Sequence, residues 1–542
     1  MTQRRGQFVT PPSFSFTPGL LTMVIWCLAG CSSGGDGAPA TAQAPARGFP
    51  GGMGQVFGPL FKAQQAAGNV PTFEGSPPVD QNDKASWVRH WTSIAMIAQG
   101  VDHTPVEAGE NRVFGEQYGP HRSSRALAIV HLAMYEAVNA IDGRYASYAG
   151  ISRSELPSSM QAAVSQAAHD TLAALYPSQA SEFGTVLAKD LAQVPKGQEK
   201  VNGIDLGRQV AAAILTRRTE DGSTKPEPRV GVEFLTSAEP GKWRQDPISL
   251  MPLALGAYWG EVNPFVLLTA DQFRAPAPPS LSSPEYAVAY NEVKAFGGDA
   301  VITPTNRTLE QTKIAFSWSY DAVPVLGAPP RMYNDITMVI AHKMGTDTNV
   351  VELSRLLALV NVAMADAAIA AWESKFYYQF WRPVMGIREA DEGTGLSGLG
   401  DGNSSTTGDP TFTPLGSPAT NITGPNFTPP FPSYPSGHAS FGGAVFQTLR
   451  KFYGTDHIEF AFDSLVMNGK TVTPGGTVMQ PEERSFSSLS QAEEENGQSR
   501  IYLGVHWVFD KTEGILLGRK VADYVYAHAF QPISPPDQNP GS

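Results

Sequence analysis

The stretch that decides the fold runs from Leu356 to Pro383 and reads LLALVNVAMADAAIAAWESKFYYQFWRP. Up to Trp372 it is almost wholly apolar and rich in alanine, which is typical of a helix that is buried on every side. The pattern predicts a helix from Asn349 to Trp381, the longest in the chain. We therefore expect a mainly α-helical protein assembled around this helix.

Two cations close this stretch. Lys375 and Arg382 are seven residues apart, or two helical turns, so a continuous helix would point both the same way. Pro383 disfavours helical backbone at Arg382 and so places its guanidinium at the helix end. Because buried cations need anionic partners, the pair predicts an anion site rather than a solvated surface pair.

Further helices are predicted on both sides of this centre by apolar residues at three- and four-residue spacing. They cover residues 85–100, 123–141, 158–175, 181–191 and 203–219 before it, 286–296, 308–320 and 330–344 nearer to it, and 438–453, 490–503 and 510–528 after it. Residues 223–284, with scattered prolines, predict a crossover between two halves. Residues 389–428 predict a long functional loop, and the one predicted β feature is a hairpin near 470–479.

The length of 542 residues exceeds what one compact core usually contains, so we expect two packed helical bundles. The predicted division is a lipoprotein signal at 1–31, a Gly/Ala/Pro-rich tether at 32–84, an N-terminal bundle with the crossover at 85–285, a C-terminal catalytic bundle at 286–530 and a tail at 531–542.

The N-terminus predicts export. A basic start is followed by a short apolar run that ends in Leu-Ala-Gly-Cys31, which resembles a bacterial lipobox. The run, at about eleven residues, is shorter than the ~20 that span a bilayer. The alternative is an ordinary signal peptide cut nearby. We expect lipid attachment at Cys31 on the periplasmic or cell-surface side of a bacterial membrane. The net charge of −12 argues against a nucleic-acid partner.

Two further segments offer groups that suit a tetrahedral oxyanion. Ser436 precedes an apolar helix that it can cap, Gly437 allows close backbone approach, and His438 follows. Downstream lie Arg500 and, six residues later, His506, with Asp510 four residues beyond it. If these lie on one helical turn, the carboxylate can hold one imidazole nitrogen and fix the tautomer.

The order Lys-x6-Arg-Pro, Pro-Ser-Gly-His and Ser-Arg-x5-His-x3-Asp resembles the signature shared by type-2 phosphatidic acid phosphatases and vanadium haloperoxidases. The resemblance implies that Lys375, Arg382 and Arg500 hold the oxygens of phosphate or vanadate, with Ser436 and the Gly437 N–H as further donors. It implies that His506 binds the central atom and that His438 is the acid–base group. The implied fold has the site in the second of two helical bundles.

The signature alone leaves two activities open. One is an exported acid phosphatase in which His506 attacks phosphorus. The other is a vanadate-dependent haloperoxidase that oxidises chloride or bromide with hydrogen peroxide, with an organic acceptor that the sequence does not identify. Residues 318–334, 357–382 and 429–447 favour the second, because they are similar to the fungal vanadium chloroperoxidases.

Three residues outside the signature extend this resemblance. Trp372 and Phe431 match positions that line the chloroperoxidase halide pocket, although each also suits plain core packing. Asp321 matches an acidic residue that orients a site arginine. The sequence therefore predicts a chloroperoxidase-like pocket with vanadate as the cofactor.

Overall fold

The computed structural model describes residues 48–63 and 72–533. The predicted signal, Cys31, residues 32–47 and 64–71 of the predicted tether and the end of the tail lie outside these residues. The described residues after Ala46 form one compact unit. The division at residue 285 therefore stays a prediction.

The described residues are mainly helical, as the sequence predicts. The α-helices are α1 (Met53–Phe57), α2 (Lys84–Asp102), α3 (Pro120–Asp142), α4 (Met160–Leu175), α5 (Ala180–Gln193), α6 (Gln198–Arg218), α7 (Pro284–Phe296), α8 (Leu309–Ser317), α9 (Pro329–Lys343), α10 (Val350–Tyr378), α11 (Pro383–Arg388), α12 (Gly437–Tyr453), α13 (Leu489–Tyr502) and α14 (Val508–His528). Short 3₁₀ turns lie at Phe73–Gly75, Pro177–Gln179, Trp259–Glu261 and Thr346–Thr348.

The β-structure consists of two small antiparallel ladders. Strands β1 (Lys62–Ala63) and β2 (Ile422–Thr423) pair, as do β3 (Phe460–Asp463) and β4 (Glu483–Phe486). The small hairpin predicted near residues 470–479 is present as one antiparallel bridge between Val472 and Val478, closed by hydrogen bonds from the Thr473 N–H to the Thr477 carbonyl and from the Met479 N–H to the Thr471 carbonyl. The longer β3–β4 ladder lies outside this segment and was not predicted. In the β3–β4 ladder, aromatic contacts fix the register of the two strands, because Phe460 and Phe462 pack on Phe486.

Helix α10 is the centre of the molecule. It packs on α2 and α3 from the N-terminal half of the chain and on α12 and α14 from the C-terminal half. Asn349 caps its start by accepting from the N–H groups of Val351 and Glu352. Among the described residues it is the one helix long and apolar enough to cross a membrane, and its apolar window is wholly buried inside the protein. Its composition therefore matches a core helix.

The long loop and the crossover have the irregular backbone that the sequence predicts. Residues 223–284 contain a single 3₁₀ turn and no α-helix before Pro284, and residues 389–421 contain no regular element. The crossover contacts the C-terminal part of α10, where the Leu255 carbonyl accepts from Trp372. The long loop contacts the end of α13, where the Gly416 N–H donates to the Leu503 carbonyl.

Candidate active site

The first two cations of the signature are buried, as predicted, but they do not lie on one continuous helix. Helix α10 ends at Tyr378, and Gln379 takes a left-handed conformation with φ of 52°. Arg382 is in extended backbone and precedes α11. The expected continuous helix through Trp381 is therefore wrong. Lys375 and Arg382 lie close together because the chain turns between them, and both side chains are inaccessible to solvent.

The ammonium of Lys375 binds the loop that leads into α12. Its Nζ donates to the carbonyl oxygens of Pro432 and Ser433 at 3.0 and 2.9 Å, and to that of Pro435. Burial and the charge of Arg382 lower the pKa of Lys375. Lys375 thus fixes the backbone immediately before Ser436, and its contact with an oxyanion stays a prediction.

Arg382 is held by two carbonyls and keeps one donor group free. Nε donates to the Phe431 carbonyl at 2.9 Å and Nη1 to the Val505 carbonyl at 2.7 Å. Nη2 is buried and has no hydrogen-bond partner among the described residues. Burial lowers the pKa of Arg382 to about 9. A buried guanidinium with an unused donor is expected to bind an acceptor.

Arg500 is oriented by Asp321, as the sequence predicts. Arg500 Nη2 lies 3.0 Å from each Asp321 oxygen, while Nε and Nη1 are buried with no partner in the part of the chain that the structure describes. Burial raises the pKa of Asp321, but the charge of Arg500, the neighbouring His438 and the hydrogen bonds from Ser417 and Arg500 together lower it to about 2. The Ser319 and Ser417 hydroxyls also donate to this carboxylate.

Residues Ser436 to His438 form the start of α12. The Ser436 hydroxyl accepts from the Ala439 N–H at 3.4 Å and caps the helix. A Cβ at Gly437 would lie 3.2 Å from Trp372 Cη2, so glycine allows this close approach. His438 Nε2 is buried without a partner among the described residues. Burial and the charge of Arg500 lower the pKa of His438 to about 3, so the ring is neutral.

His506 and Asp510 are paired, although not within one helical turn. Helix α14 begins at Val508, so His506 precedes it, and Asp510 lies in its first turn. Asp510 Oδ2 accepts from the Trp507 N–H at 3.0 Å and lies 2.8 Å from His506 Nδ1. The carboxylate accepts the Nδ1 proton, so Nε2 carries the lone pair of His506 and lies 3.4 Å from Arg382 Nη1, which can donate to it. Burial raises the pKa of Asp510 to about 7.

Several of these groups line one small cavity, whose space is about 250 Å³ with open solvent included. Its polar wall includes His438, Arg500 and His506, and its apolar wall includes Trp372 and Phe431, whose rings lie 4.9 Å apart. Further lining residues are Pro120, Asp321, Pro329, Pro429, Gly437 and Phe441. The cavity therefore joins part of the predicted signature to the predicted halide-pocket residues, whereas Lys375, Arg382 and Ser436 do not line it.

The residues present fit a tetrahedral oxyanion such as vanadate. The unused donors of Arg382 and Arg500 and the free nitrogen of His438 are all buried. Three cations of the site (Lys375, Arg382 and Arg500) face two carboxylates, so an anion would balance the local charge. The described residues contain no cluster of three or more His, Cys, Asp or Glu side chains suited to a bare metal cation.

Comparisons with known proteins agree with this geometry. Residues 355–535 match the family model of the VCPO second helical-bundle domain. Over 519 aligned residues the chain is 29% identical to vanadium chloroperoxidase from Curvularia inaequalis, and the alignment covers 80% of this chain and 81% of that protein. The chain is thus similar to a vanadium chloroperoxidase over most of its length, and its residues 355–535 match that family's second helical bundle.

Solved structures of bacterial haloperoxidases share the fold. A bacterial vanadium-dependent iodoperoxidase matches with a TM-score of 0.64 at 23% identity, covering 85% of this chain and 99% of that one. A holo-type bacterial vanadium-dependent chloroperoxidase matches with a TM-score of 0.55 at 15% identity, covering 86% and 98%. These likenesses show that the haloperoxidase fold extends beyond the C-terminal bundle.

Sequence reasoning missed several residues of this candidate site. Pro120, at the start of α3, lines the cavity, and Ser417 binds Asp321 from the long loop. Leu255 accepts the indole N–H of Trp372 at 3.0 Å. All three are far from the signature in sequence. The one local signal was the Gly119-Pro120 start of a buried helix, which does not reveal what the helix faces.

Proposed function

We propose that this chain is a vanadate-dependent haloperoxidase that oxidises bromide or chloride with hydrogen peroxide. The observation that carries the proposal is the shared cavity, in which unused arginine donors and two neutral histidines face the Trp372–Phe431 wall. Its relatives include a chloroperoxidase and an iodoperoxidase by name. A phosphatase needs no apolar wall for a halide, and the comparisons favour the haloperoxidase.

Arg382 and Arg500 would bind the vanadate oxygens through their unused N–H groups. Their positions are fixed before binding, since carbonyls hold Arg382 and Asp321 holds Arg500. His506 would present its Nε2 lone pair to vanadium, with Asp510 fixing the tautomer. When bound, vanadate supplies the Lewis acid that activates hydrogen peroxide for reaction with a halide.

His438 would move the protons of the reaction at Nε2. This nitrogen is free and lines the cavity, burial keeps the ring neutral, and a bound anion would raise its pKa so that it accepts a proton. Trp372 and Phe431 would exclude water from the halide, and the positive charge of Arg382 and Arg500 would offset the cost of removing its hydration shell. Lys375 would add positive charge from behind the Pro432–Pro435 loop.

The test uses the purified protein with and without orthovanadate. We expect bromide- and peroxide-dependent halogenation of a dye only with vanadate, and no hydrolysis of p-nitrophenyl phosphate in its presence. His506→Ala should abolish halogenation, whereas His169→Ala, a histidine paired with Asp170 outside the site, should retain it. Robust hydrolysis that vanadate merely inhibits, with no halogenation for any halide, would establish the phosphatase instead.

We also propose that Cys31 carries a lipid that tethers the enzyme to a bacterial membrane. The support is the Leu-Ala-Gly-Cys31 sequence after a basic and then apolar start. The full chain expressed in bacteria should incorporate labelled palmitate and sediment with membranes. Cys31→Ser should lose both properties. Equal labelling of the two proteins would disprove the attachment site.

A further inference from the structure

The indole of Trp372 is the largest side chain of the halide wall, and it is held from behind by the crossover segment. Its N–H donates to the Leu255 carbonyl at 3.0 Å. The N–H of Leu255 in turn donates to the Pro430 carbonyl at 2.9 Å, directly before Phe431. One backbone unit thus connects both aromatic residues of the wall.

The next residue of this turn must be glycine. Gly256 has φ of +79°, and a Cβ there would lie 2.3 Å from Trp372 Cδ1 and Nε1. No side chain fits at that distance. The Gly256 N–H donates to Glu227 Oε2, so the carboxylate holds the turn against the indole.

Glu227 also binds the start of α3. Its Oε1 accepts from Arg122 Nε at 2.8 Å and lies 3.0 Å from His121 Nε2. Since a carboxylate only accepts, His121 carries its proton on Nε2. The side chain of Glu227 is 3% exposed, and Arg122 balances its charge, so the carboxylate does not repel an anion in front of Trp372.

The ring of His121 completes the support. It lies 5.6 Å from the Trp372 ring with the planes inclined by 32°, and 4.6 Å from the Trp259 ring. His121 is fully buried, and Pro120 beside it lines the cavity itself. Glu227 therefore fixes two separate neighbours of Trp372, the Leu255–Gly256 turn and the His121 ring.

We propose that His121 and Glu227 are positioning residues that hold Trp372 and Phe431 in place and thereby set the halide preference of the cavity. The inference rests on the proposed haloperoxidase function. A wall held this way keeps the cavity narrow, which favours small halides. If the wall is loosened, a small ion loses more contact than a large one.

The experiment compares two variants that remove different parts of the support. His121→Phe keeps a ring against Trp372 but cannot donate to Glu227, and Glu227→Gln weakens the hold on the Gly256 turn. For both we expect kcat/KM for chloride to fall ~10-fold and that for bromide ~3-fold, with the iodide value changed less than about twofold. The change should appear in the halide KM, and the vanadate Kd should stay within about twofold of wild type.

The matched control is His131→Phe, which alters another buried histidine of α3 whose Nδ1 bonds only to the Leu127 carbonyl. It should leave the ratios of kcat/KM between chloride, bromide and iodide unchanged. An equal loss for all halides in the His121 and Glu227 variants, or a large loss of vanadate affinity, would overturn the proposal in favour of general structural support.

A second measurement does not depend on turnover. In protein labelled with 5-fluorotryptophan, the fluorine signal of Trp372 is assigned by its absence in Trp372→Phe. We expect this signal to shift or broaden in both variants and to stay unchanged in His131→Phe. A wild type that fails to halogenate would disprove the proposed function, whereas an unchanged Trp372 signal would disprove the positioning role.

Discussion

At the scale of single residues, the site is a set of buried charges whose hydrogen bonds are only partly satisfied. The Lys375 ammonium donates its hydrogen bonds to carbonyls of the Pro432–Pro435 loop, while Arg382 and Arg500 each keep N–H groups without a partner among the described residues. His438 is neutral because burial and Arg500 lower its pKa to about 3. The site is therefore arranged to accept negative charge and a proton together.

We expect anion binding to strengthen as the pH falls. An anion beside His438 raises the pKa of that ring, so a proton is taken up on binding, and affinity rises up to about tenfold per pH unit below the raised pKa. Sulfate is a suitable probe because its charge is constant from pH 5 to 8. Calorimetric titration of wild type should show this slope, and His438→Gln should show a weaker one.

A residual slope in His438→Gln is expected from Asp510. Its pKa is about 7, so protonation below that pH removes a negative charge from the site and favours the anion. Combining His438→Gln with Asp510→Asn should flatten the dependence. Identical slopes for wild type and His438→Gln would show that His438 does not take up the proton.

Removal of Asp321 should destabilise the protein in a way that anions reverse. Asp321→Ala leaves the guanidinium of Arg500 buried without its carboxylate, and breaking such a buried pair costs ~3–5 kcal/mol. The free energy of unfolding in urea should fall by that order, and saturating sulfate should restore part of it. Asp170→Ala, at a partly exposed pair, should have little effect. A lower free energy of unfolding that sulfate does not restore would contradict an anion site at Arg500.

The residue types of the site were predictable from sequence, and their hydrogen-bond partners were not. The spacing of His506 and Asp510 predicts their contact, which forms at 2.8 Å even though α14 starts after the histidine. Lys375 and Arg382 converge through a turn after Tyr378 that no helical spacing describes. Carbonyl acceptors such as Val505 carry no sequence signature, because every residue has the same backbone group.

At the scale of elements, the long loop acts as a support for Arg500. Ser417 is fully buried, exchanges two backbone hydrogen bonds with Phe427 and donates through its hydroxyl to Asp321. The Gly416 N–H donates to the Leu503 carbonyl at 2.8 Å, close after Arg500. The length and composition of the loop predict a functional role, but they do not predict this docking point.

Ser417→Ala should therefore weaken anion binding without unfolding the loop. The loss of one charge-assisted hydrogen bond to the Asp321 carboxylate costs about 1.5–3 kcal/mol. Part of this cost weakens anion binding, because Asp321 orients Arg500. We expect the vanadate or sulfate Kd to rise several-fold, and Ser417→Thr to recover most of the affinity. Ser464→Ala, which removes a buried hydroxyl bonded to the Ser317 carbonyl, should leave the Kd unchanged. An unaltered Kd in Ser417→Ala would show that this loop does not support anion binding at Arg500.

At the scale of the whole molecule, the two predicted bundles share their core. Helix α10 is enclosed by α2 and α3 on one side and by α12 and α14 on the other. The N-terminal half also supplies Pro120 to the cavity. The alanine-rich sequence of α10 predicts complete burial, but it does not identify the helices that cover it.

A fragment of residues 286–542 should not fold alone. Without α2 and α3 it would expose one face of an almost wholly apolar helix, and such surfaces aggregate. We expect weak near-ultraviolet circular dichroism and a broad urea transition for the fragment. Coexpression with residues 46–285 should restore both a sharp transition and vanadate binding. Cooperative unfolding of the isolated fragment would show that residue 285 separates two independent domains.

The small volume of the cavity also bears on where the organic acceptor is halogenated. Its space is about 250 Å³ with open solvent included, so the enclosed part is smaller still. A large organic acceptor does not fit in that space. We therefore expect the oxidised halogen to leave the protein before it meets carbon. Regiochemistry then follows the electron density of the acceptor, and any new stereocentre is expected to form as a racemate.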